Sequence, residues 1–220
     1  MNKILEYFKF GKIEEKNFRY CGKEVVQADD FTITVSCKAT AVKVEPIKIQ
    51  PGRKLSDPLN EAERTQLRSV AGMLCWVARQ CRPDLSYRVS KMQTAVSKGK
   101  VRDLKEANKV VEYALNTADK GIVFRSGILD WNTMVLGNVC DASHANESTD
   151  SGEPHRSQGA RMHILATPEL KDGSSCHFHL IGWASNVFAG LRYKRKHIPC
   201  NMVLKKATVY VLLLLTQGAC

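Results

Sequence analysis

Long uninterrupted hydrophobic segments are missing from this sequence of 220 residues. The longest apolar run, 209–215, is far shorter than the roughly 20 residues that a membrane-spanning helix needs. The first 11 residues contain Lys3, Glu6 and Lys9, whereas a signal peptide has an unbroken apolar region. We therefore expect no membrane partner and an intracellular protein, with cytoplasm and nucleus both open.

Closely spaced cysteines are missing as well. The 8 cysteines are spread along the whole chain and no two form a CxxC pair, which argues against a zinc ribbon and against a dense disulfide framework. Reduced thiols are the default for such a protein. One set could be considered for metal binding: His163, Cys176, His177 and His179. Because the alternation of a strand puts Cys176 on the face opposite His177 and His179, four ligands do not converge, and ordinary packing is favoured.

Acidic residues are absent from the last part of the chain. Residues 173–220 contain no Asp or Glu, and the whole chain has 33 Lys and Arg against 22 Asp and Glu, a formal net charge of +11. Such a charge favours a polyanionic partner, with nucleic acid as the first candidate. A basic protein without such a partner is the alternative.

What the sequence does contain is a change of hydrophobic period along the chain. Residues 18–36 combine β-branched and aromatic residues with a turn at Asp29-Asp30, which predicts a β-hairpin. The segment 46–58 is rich in Pro and Lys and predicts a linker or an extended arm. After Gly121 the period is that of strands, which are predicted at 122–124, 134–140, 161–166 and 177–183.

Three helices are predicted between the hairpin and these strands, from about residue 60 to residue 118. Each has an apolar face with spacings of three and four residues. The predicted start signals are a capping box at Asn60 and Glu63, a cap at Asp84 after the break at Arg82-Pro83, and a second capping box at Asp103 and Glu106. The sequence therefore predicts a helical segment between two β-rich parts.

Several segments resemble one family in order and in separation. Residues 69–87 are similar to the block x-x-G-x-L-x-W-x-A-x-x-x-R-P-D-L, and 105–113 resembles the next helix of the same region. Residues 141–146 resemble the D-A-S/D-x-A start of a ribonuclease H domain; 156–159 and 181–185 resemble the R-S-T/Q-G and I-x-W-x-S of its second and third strands. The chain thus resembles part of a copia-type retrotransposon Pol polyprotein, from the end of the reverse transcriptase into a truncated ribonuclease H domain.

The resemblance implies an α+β fold in three parts. Residues 1–55 would be an N-terminal β-hairpin from the end of the palm-like region, 56–120 a helical thumb or connection segment, and 121–220 an incomplete ribonuclease H-like mixed sheet. The intact parent copies RNA into DNA and degrades the RNA strand, so the implied partners are RNA–DNA hybrid or DNA and the rest of the Pol polyprotein. A stand-alone basic nucleic-acid-binding module derived from such an element is the alternative.

The resemblance also implies that catalytic acids are missing. The family's polymerase acids lie in a Tyr-Val-Asp-Asp motif that is not present, and Asp29-Asp30 are interpreted as turn residues. Asp141 matches the first ribonuclease H acid, a ligand for Mg²⁺, but the family's S-x-x-A-E-A helix is replaced by 202–210, which has no acid. Since two-metal hydrolysis needs several carboxylates, we expect Asp141 to be vestigial and Mg²⁺ not to be productively bound.

Cationic side chains near a helix end and in the tail are the candidates for binding nucleic acid: Arg79, Arg82, Arg192, Lys194, Arg195 and Lys196. For the helix-end arginines the alternative is to satisfy helix carbonyls and the helix dipole, and for the tail it is simple solvation. Trp76 and Trp183 lie in apolar patterns and are interpreted as core residues rather than as platforms for base stacking.

Overall fold

The computed structural model describes residues 14–142 and 157–188. These residues form helices and antiparallel sheets, which confirms the predicted α+β class. In chain order, three strands come first and a layer of helices follows; a fourth strand then joins the first three, and a second sheet comes last.

The first sheet pairs its strands in the order β1-β2-β3-β4, all antiparallel. Its strands are β1 Asn17–Tyr20, β2 Lys23–Gln27, β3 Ile33–Ser36 and β4 Gly121–Phe124. The β1–β2 turn has Gly22 at φ 76°, where a Cβ would lie 3.0 Å from the ring of Trp76, so both the backbone and the close approach favour glycine. The predicted turn at Asp30 is confirmed, since its carboxylate accepts the backbone N–H of Thr32 at 2.9 Å.

Strand β4 differs from the prediction in its partner. Residues 122–124 do lie in a strand, but Ile122 pairs with Val35 and Val123 with Thr34 of the first sheet. The alternation of a strand predicts which face is apolar, not which other strand it will pair with. In the structure this strand belongs to the first sheet, and the second sheet begins at Val135.

The helical layer lies between β3 and β4 in the sequence. Its members are α1 Lys38–Ala41, α2 Glu61–Gln80, a 3₁₀ turn at Pro83–Leu85, α3 Ser86–Lys98 and α4 Val101–Asn116. The apolar face of α2 includes Leu67, Leu74 and Val77, each 0% exposed, and the buried residues of α3 and α4 join the same core. Within the described ranges, no helix is both long and apolar enough to cross a membrane.

The predicted capping box at the start of α2 is confirmed. Asn60 Oδ1 accepts the backbone N–H of Glu63 at 2.8 Å, and Glu63 Oε2 accepts the backbone N–H of Asn60 at 3.0 Å. Glu63 is 2% exposed and also accepts two hydrogen bonds of 3.2 Å from Arg53 Nη1. The cap therefore also fixes the segment that precedes the helix.

We expect Asn60→Ala to lower the free energy of unfolding by about 1 kcal/mol, because it removes the acceptor for the first turn of α2. Urea denaturation followed by circular dichroism measures the change. Asn116→Ala, at the exposed end of α4, is the matched control and should change the value by less than about 0.5 kcal/mol. Equal losses in the two variants would contradict a capping role for Asn60.

The other two predicted caps are wrong in detail. α4 begins at Val101, and Asp103 is its third residue, accepting the backbone N–H of Lys100 at 2.7 Å, so the helix starts before the predicted box. No side chain caps the start of α3, so the predicted cap by Asp84 is not formed. Asp84 binds Arg82 and accepts the hydroxyl of Tyr113 at 3.2 Å. A carboxylate can satisfy a helix start or a nearby cation, and spacing alone does not predict which one it meets.

The Pro- and Lys-rich segment is an arm that packs on the helices. Ile47 is 3% exposed, its backbone N–H donates to Asn108 Oδ1 at 2.7 Å, and its carbonyl accepts from Asn108 Nδ2 at 2.9 Å. Lys48 donates its backbone N–H to Gln66 Oε1 at 2.9 Å. These bonds to α4 and α2 replace the backbone partners that the arm would have in a sheet.

The second sheet contains β5 Val135–Ala142, β6 Ser157–Ala166 and β7 Phe178–Phe188, paired in that order. All pairings of these described strands are antiparallel, so the expected mixed sheet is not what they form. Val139, Ile164 and Ala166 form a small core with Leu170 of the 3₁₀ segment Pro168–Asp172 packed against it. These three strands overlap the strands predicted at 134–140, 161–166 and 177–183 and follow in the same order.

Candidate metal and nucleic-acid sites

Asp141 lies near the end of β5 and is exposed to solvent. Its Oδ1 accepts the backbone N–H of the next residue, Ala142, at 2.8 Å. Across the sheet it pairs with Ala160 of β6, which in turn pairs with Ser185 of β7. The row of side chains that crosses the sheet at Asp141 therefore contains no second carboxylate.

The described residues do not fit the magnesium centre that the resemblance implies. Two cations about 4 Å apart need several carboxylates around them. In the part of the chain that the structure describes, no group of three or more His, Cys, Asp or Glu side chains could hold a metal ion. The acids that follow Asp141 in sequence, Glu147, Asp150 and Glu153, lie outside the described residues.

Arg82 is buried and forms hydrogen bonds with other parts of the protein. The residue is 2% exposed, and its Nη2 lies 2.8 Å from Asp84 Oδ2. Nη1 and Nη2 donate to the carbonyl and the hydroxyl of Thr117, each at 2.7 Å. Its guanidinium carbon lies 5.7 Å from the ring centroid of Tyr113. In this conformation the guanidinium satisfies the carbonyl of Thr117 at the end of α4, and its burial keeps it inaccessible to a phosphate.

Of the remaining candidate cations, only Arg79 lies among the residues that the structure describes. Arg79 is exposed in the last turn of α2, where its charge also complements the helix C-terminus. Arg192, Lys194, Arg195 and Lys196 lie outside the described residues. Nucleic-acid binding by these side chains stays a prediction.

Sequence reasoning missed a basic surface on α3. This helix of 13 residues carries Arg88, Lys91 and Lys98 and has no Asp or Glu. Arg88 is exposed with its guanidinium carbon 5.0 Å from the Tyr113 ring centroid, and Lys91 lies 5.8 Å from that of Tyr87. The absence of acids from a helix in the middle of the chain was a signal that could have identified this surface.

Trp76 and Trp183 pack as predicted. Trp76 is partly buried against the main core, and Trp183 of β7 is partly buried at the junction between the second sheet and α2. The indole N–H of Trp183 donates to the carbonyl of Ala78 at 2.8 Å. Ala78 lies in the last turn of α2, where carbonyls lack partners within the helix, so the indole caps it.

The His and Cys residues considered for zinc do not form a metal site among the described residues. His179 instead places its ring edge-on against Phe124, with centroids 5.5 Å apart, and its buried Nε2 has no hydrogen-bond partner. Burial lowers the pKa of His179, and a backbone hydrogen bond with Arg125 acts in the opposite direction. The imidazole therefore favours its neutral form in the folded chain.

Stability should fall as the pH drops below the ordinary pKa of histidine. The unfolded chain binds a proton on His179 more readily than the folded chain, so the contribution is complete above about pH 6.5 and is lost as pH falls through the lower folded pKa. Urea midpoints measured between about pH 7.5 and 5 test this in the unmodified chain and in His179→Phe. The variant should lose part of the pH dependence, whereas His177→Phe, at an exposed position, should retain it. Identical pH profiles for the unmodified chain and His179→Phe would contradict the assignment.

Comparison with known proteins gives one informative similarity. No family model and no solved structure matches the chain. The chain is 26% identical over 157 residues to the "Putative transposon Ty5-1 protein" of Saccharomyces cerevisiae, and the alignment covers 66% of this chain and 48% of that protein. The chain therefore spans about half the length of this relative. The similarity supports a retrotransposon-derived chain.

Proposed function

We propose that the chain is a fragment of a copia-type retrotransposon Pol polyprotein, from the end of the reverse transcriptase into a truncated ribonuclease H domain, which binds nucleic acid without cleaving it. A contact between two of the resembling segments carries the proposal. Trp183 of the I-x-W-x-S segment donates to Ala78 of the G-x-L-x-W-x-A segment at 2.8 Å, across 105 residues of sequence. Two segments that pack as one unit favour a common origin over two separate chance resemblances.

The R-P-D-L segment supports the same proposal, because each of its residues has a structural reason. Arg82 and Asp84 form the ion pair described above, at 2.8 Å. Pro83 is the first residue of the 3₁₀ turn, and Leu85 is 0% exposed. Every residue of this segment therefore has a role in the fold. In an accidental match to the family block, we would expect some of these residues to have no such role.

The proposed lack of cleavage rests on the missing carboxylates. Asp141 is exposed and has only alanine and serine in its row of the sheet. Residues 173–220, where the resemblance places a further acid, contain none. A single carboxylate does not offset the charge of two divalent cations. We therefore propose that Mg²⁺ is not productively bound and that Asp141 is vestigial.

The proposed binding rests on the cations that remain exposed. Arg79 of α2 and Arg88 and Lys91 of α3 belong to neighbouring helices of the same layer, and the chain as a whole has a net charge of +11. Cations of this kind bind phosphates by releasing counterions and carry no sequence preference. The proposed ligand is the sugar–phosphate backbone of an RNA–DNA hybrid.

Salt dependence of binding to a labelled RNA–DNA hybrid tests this. If about three phosphates are neutralised, affinity should fall roughly 40-fold between about 50 and 200 mM salt. The double variant Arg88→Glu with Lys91→Glu should reduce the slope of log affinity against log salt by about two. Lys43→Glu with Lys48→Glu makes the same change of net charge on exposed residues before α2 and is the matched control. No measurable binding at low salt, or equal slopes in both double variants, would contradict the proposed surface.

A further inference from the structure

Two cysteine sulfurs are in contact in the main hydrophobic core. Cys37 follows β3 and precedes α1, and Cys81 follows α2. The residues are 1% and 0% exposed, and Cys37 Sγ lies 2.7 Å from Cys81 Sγ although 44 positions separate them in sequence. The other cysteines of the described residues are all more exposed: Cys21, Cys75, Cys140 and Cys176.

The contact shifts the pKa values of the two thiols in opposite directions. Cys37 Sγ donates a hydrogen bond to Cys81 Sγ, which lowers the pKa of Cys81 and raises the pKa of Cys37. Burial opposes the lowering at Cys81 and adds to the rise at Cys37. Lys23 favours the thiolate form of both, and Glu24 disfavours it. A thiolate is the form that attacks disulfides, and these directions of shift favour Cys81 as the attacking sulfur.

We propose that Cys37 and Cys81 form a redox-sensitive pair that reacts with a low-molecular-weight disulfide, such as oxidised glutathione, to give an internal disulfide. The Cys81 thiolate attacks one sulfur of the oxidised glutathione, forming a mixed disulfide and releasing one glutathione thiolate. The Cys37 thiolate then attacks the Cys81 sulfur, forming the internal bond and releasing the second glutathione. Two electrons pass from the protein to the oxidant, and the two thiol protons end on the two released glutathiones.

The burial of both sulfurs sets when the reaction can occur. The reagent reaches them only when the end of β3 and the end of α2 separate transiently, and reclosure then brings the second sulfur to the mixed disulfide. The internal bond ties the first sheet to the helical layer and closes a loop that contains α1, the arm and α2. Because this cross-link restricts the unfolded chain, the oxidised protein should resist denaturant more strongly than the reduced protein.

The test compares the reduced chain with the same chain incubated with oxidised glutathione under native conditions. Remaining thiols are alkylated in denaturant, and the unreduced digest is mapped by mass spectrometry. We expect a peptide pair that links Cys37 to Cys81, its loss after treatment with dithiothreitol, and a higher urea midpoint for the oxidised chain. Cys140→Ser, which removes an exposed thiol, is the control and should form the same link.

The variants Cys37→Ser and Cys81→Ser separate this link from any other disulfide, and their urea midpoints should no longer rise with oxidised glutathione. Alkylation of both Cys37 and Cys81 after oxidation, links among other cysteines only, or a midpoint that the link leaves unchanged or lowers would each overturn the proposal. If a serine variant fails to fold, the peptide map and the midpoint of the unmodified chain decide the matter. None of these readouts depends on binding to nucleic acid.

Discussion

Arg82→Ala should lower the free energy of unfolding by about 3–5 kcal/mol, because it leaves the carboxylate of Asp84 without its buried cationic partner. Arg82 is 2% exposed, and it also donates to the carbonyl and hydroxyl of Thr117, which ends α4. One side chain thus joins the turn after α2 to the end of α4. Losing several kcal/mol removes a large share of the stability of an ordinary domain, so urea denaturation will detect the change without ambiguity.

Arg79→Ala is the matched control for this prediction, since Arg79 is exposed three residues earlier in the sequence. It should change the free energy of unfolding by less than about 0.5 kcal/mol. Arg82→Lys keeps the charge but cannot form the planar fork that reaches both Asp84 and Thr117, so most of the loss should remain. If Arg82→Ala were as stable as the unmodified chain but bound hybrid less tightly, the structural role argued for Arg82 would be wrong.

Trp183→Ala should lower the free energy of unfolding by about 3 kcal/mol, through the lost packing of a large aromatic side chain at the junction of β7 and α2. Trp183→Phe keeps most of that packing and removes the donor to Ala78, so about 1–2 kcal/mol should be lost. Trp131, which is 82% exposed, offers the control: Trp131→Ala should have an effect under about 0.5 kcal/mol.

Hydrogen exchange would show where the Trp183 variants act. Because the indole joins the second sheet to α2, amides of β6 and β7 should exchange faster in Trp183→Ala than amides in the middle of α2. Faster exchange throughout the helical layer, with the second sheet unaffected, would contradict the junction role.

The helical layer was largely predictable from local signals. The spacing of apolar residues predicts the buried face of α2, and the capping box at Asn60 and Glu63 predicts its first residue. The hairpin turn at Asp30 was also predictable, because Asp accepts hydrogen bonds from the backbone two residues later. Each of these features depends on residues that are close in sequence.

The features that escaped prediction depend on residues far apart in sequence. The pairing of β4 with β3 joins Ile122 to Val35, and the partner of Arg82 at the end of α4 is 35 residues away. Nothing in either local pattern indicates the other member of the pair, since many apolar strands and many carbonyls would serve equally well. The same holds for the candidate site residues. Asp141 could be identified from a local motif, whereas the burial of Arg82 depends on contacts with residues far away in the sequence.

A cleavage assay with an RNA–DNA hybrid shows whether the purified chain binds nucleic acid without catalysis. A labelled hybrid is incubated with the unmodified chain and with Asp141→Asn in Mg²⁺ and in Mn²⁺, beside an active ribonuclease H, while binding is followed in parallel at low salt. We expect salt-sensitive binding by both chains, with equal affinity, and no metal-dependent cleavage by either. Metal-dependent cleavage that disappears in Asp141→Asn would contradict this expectation, because several more acids would then have to complete a working metal centre around Asp141.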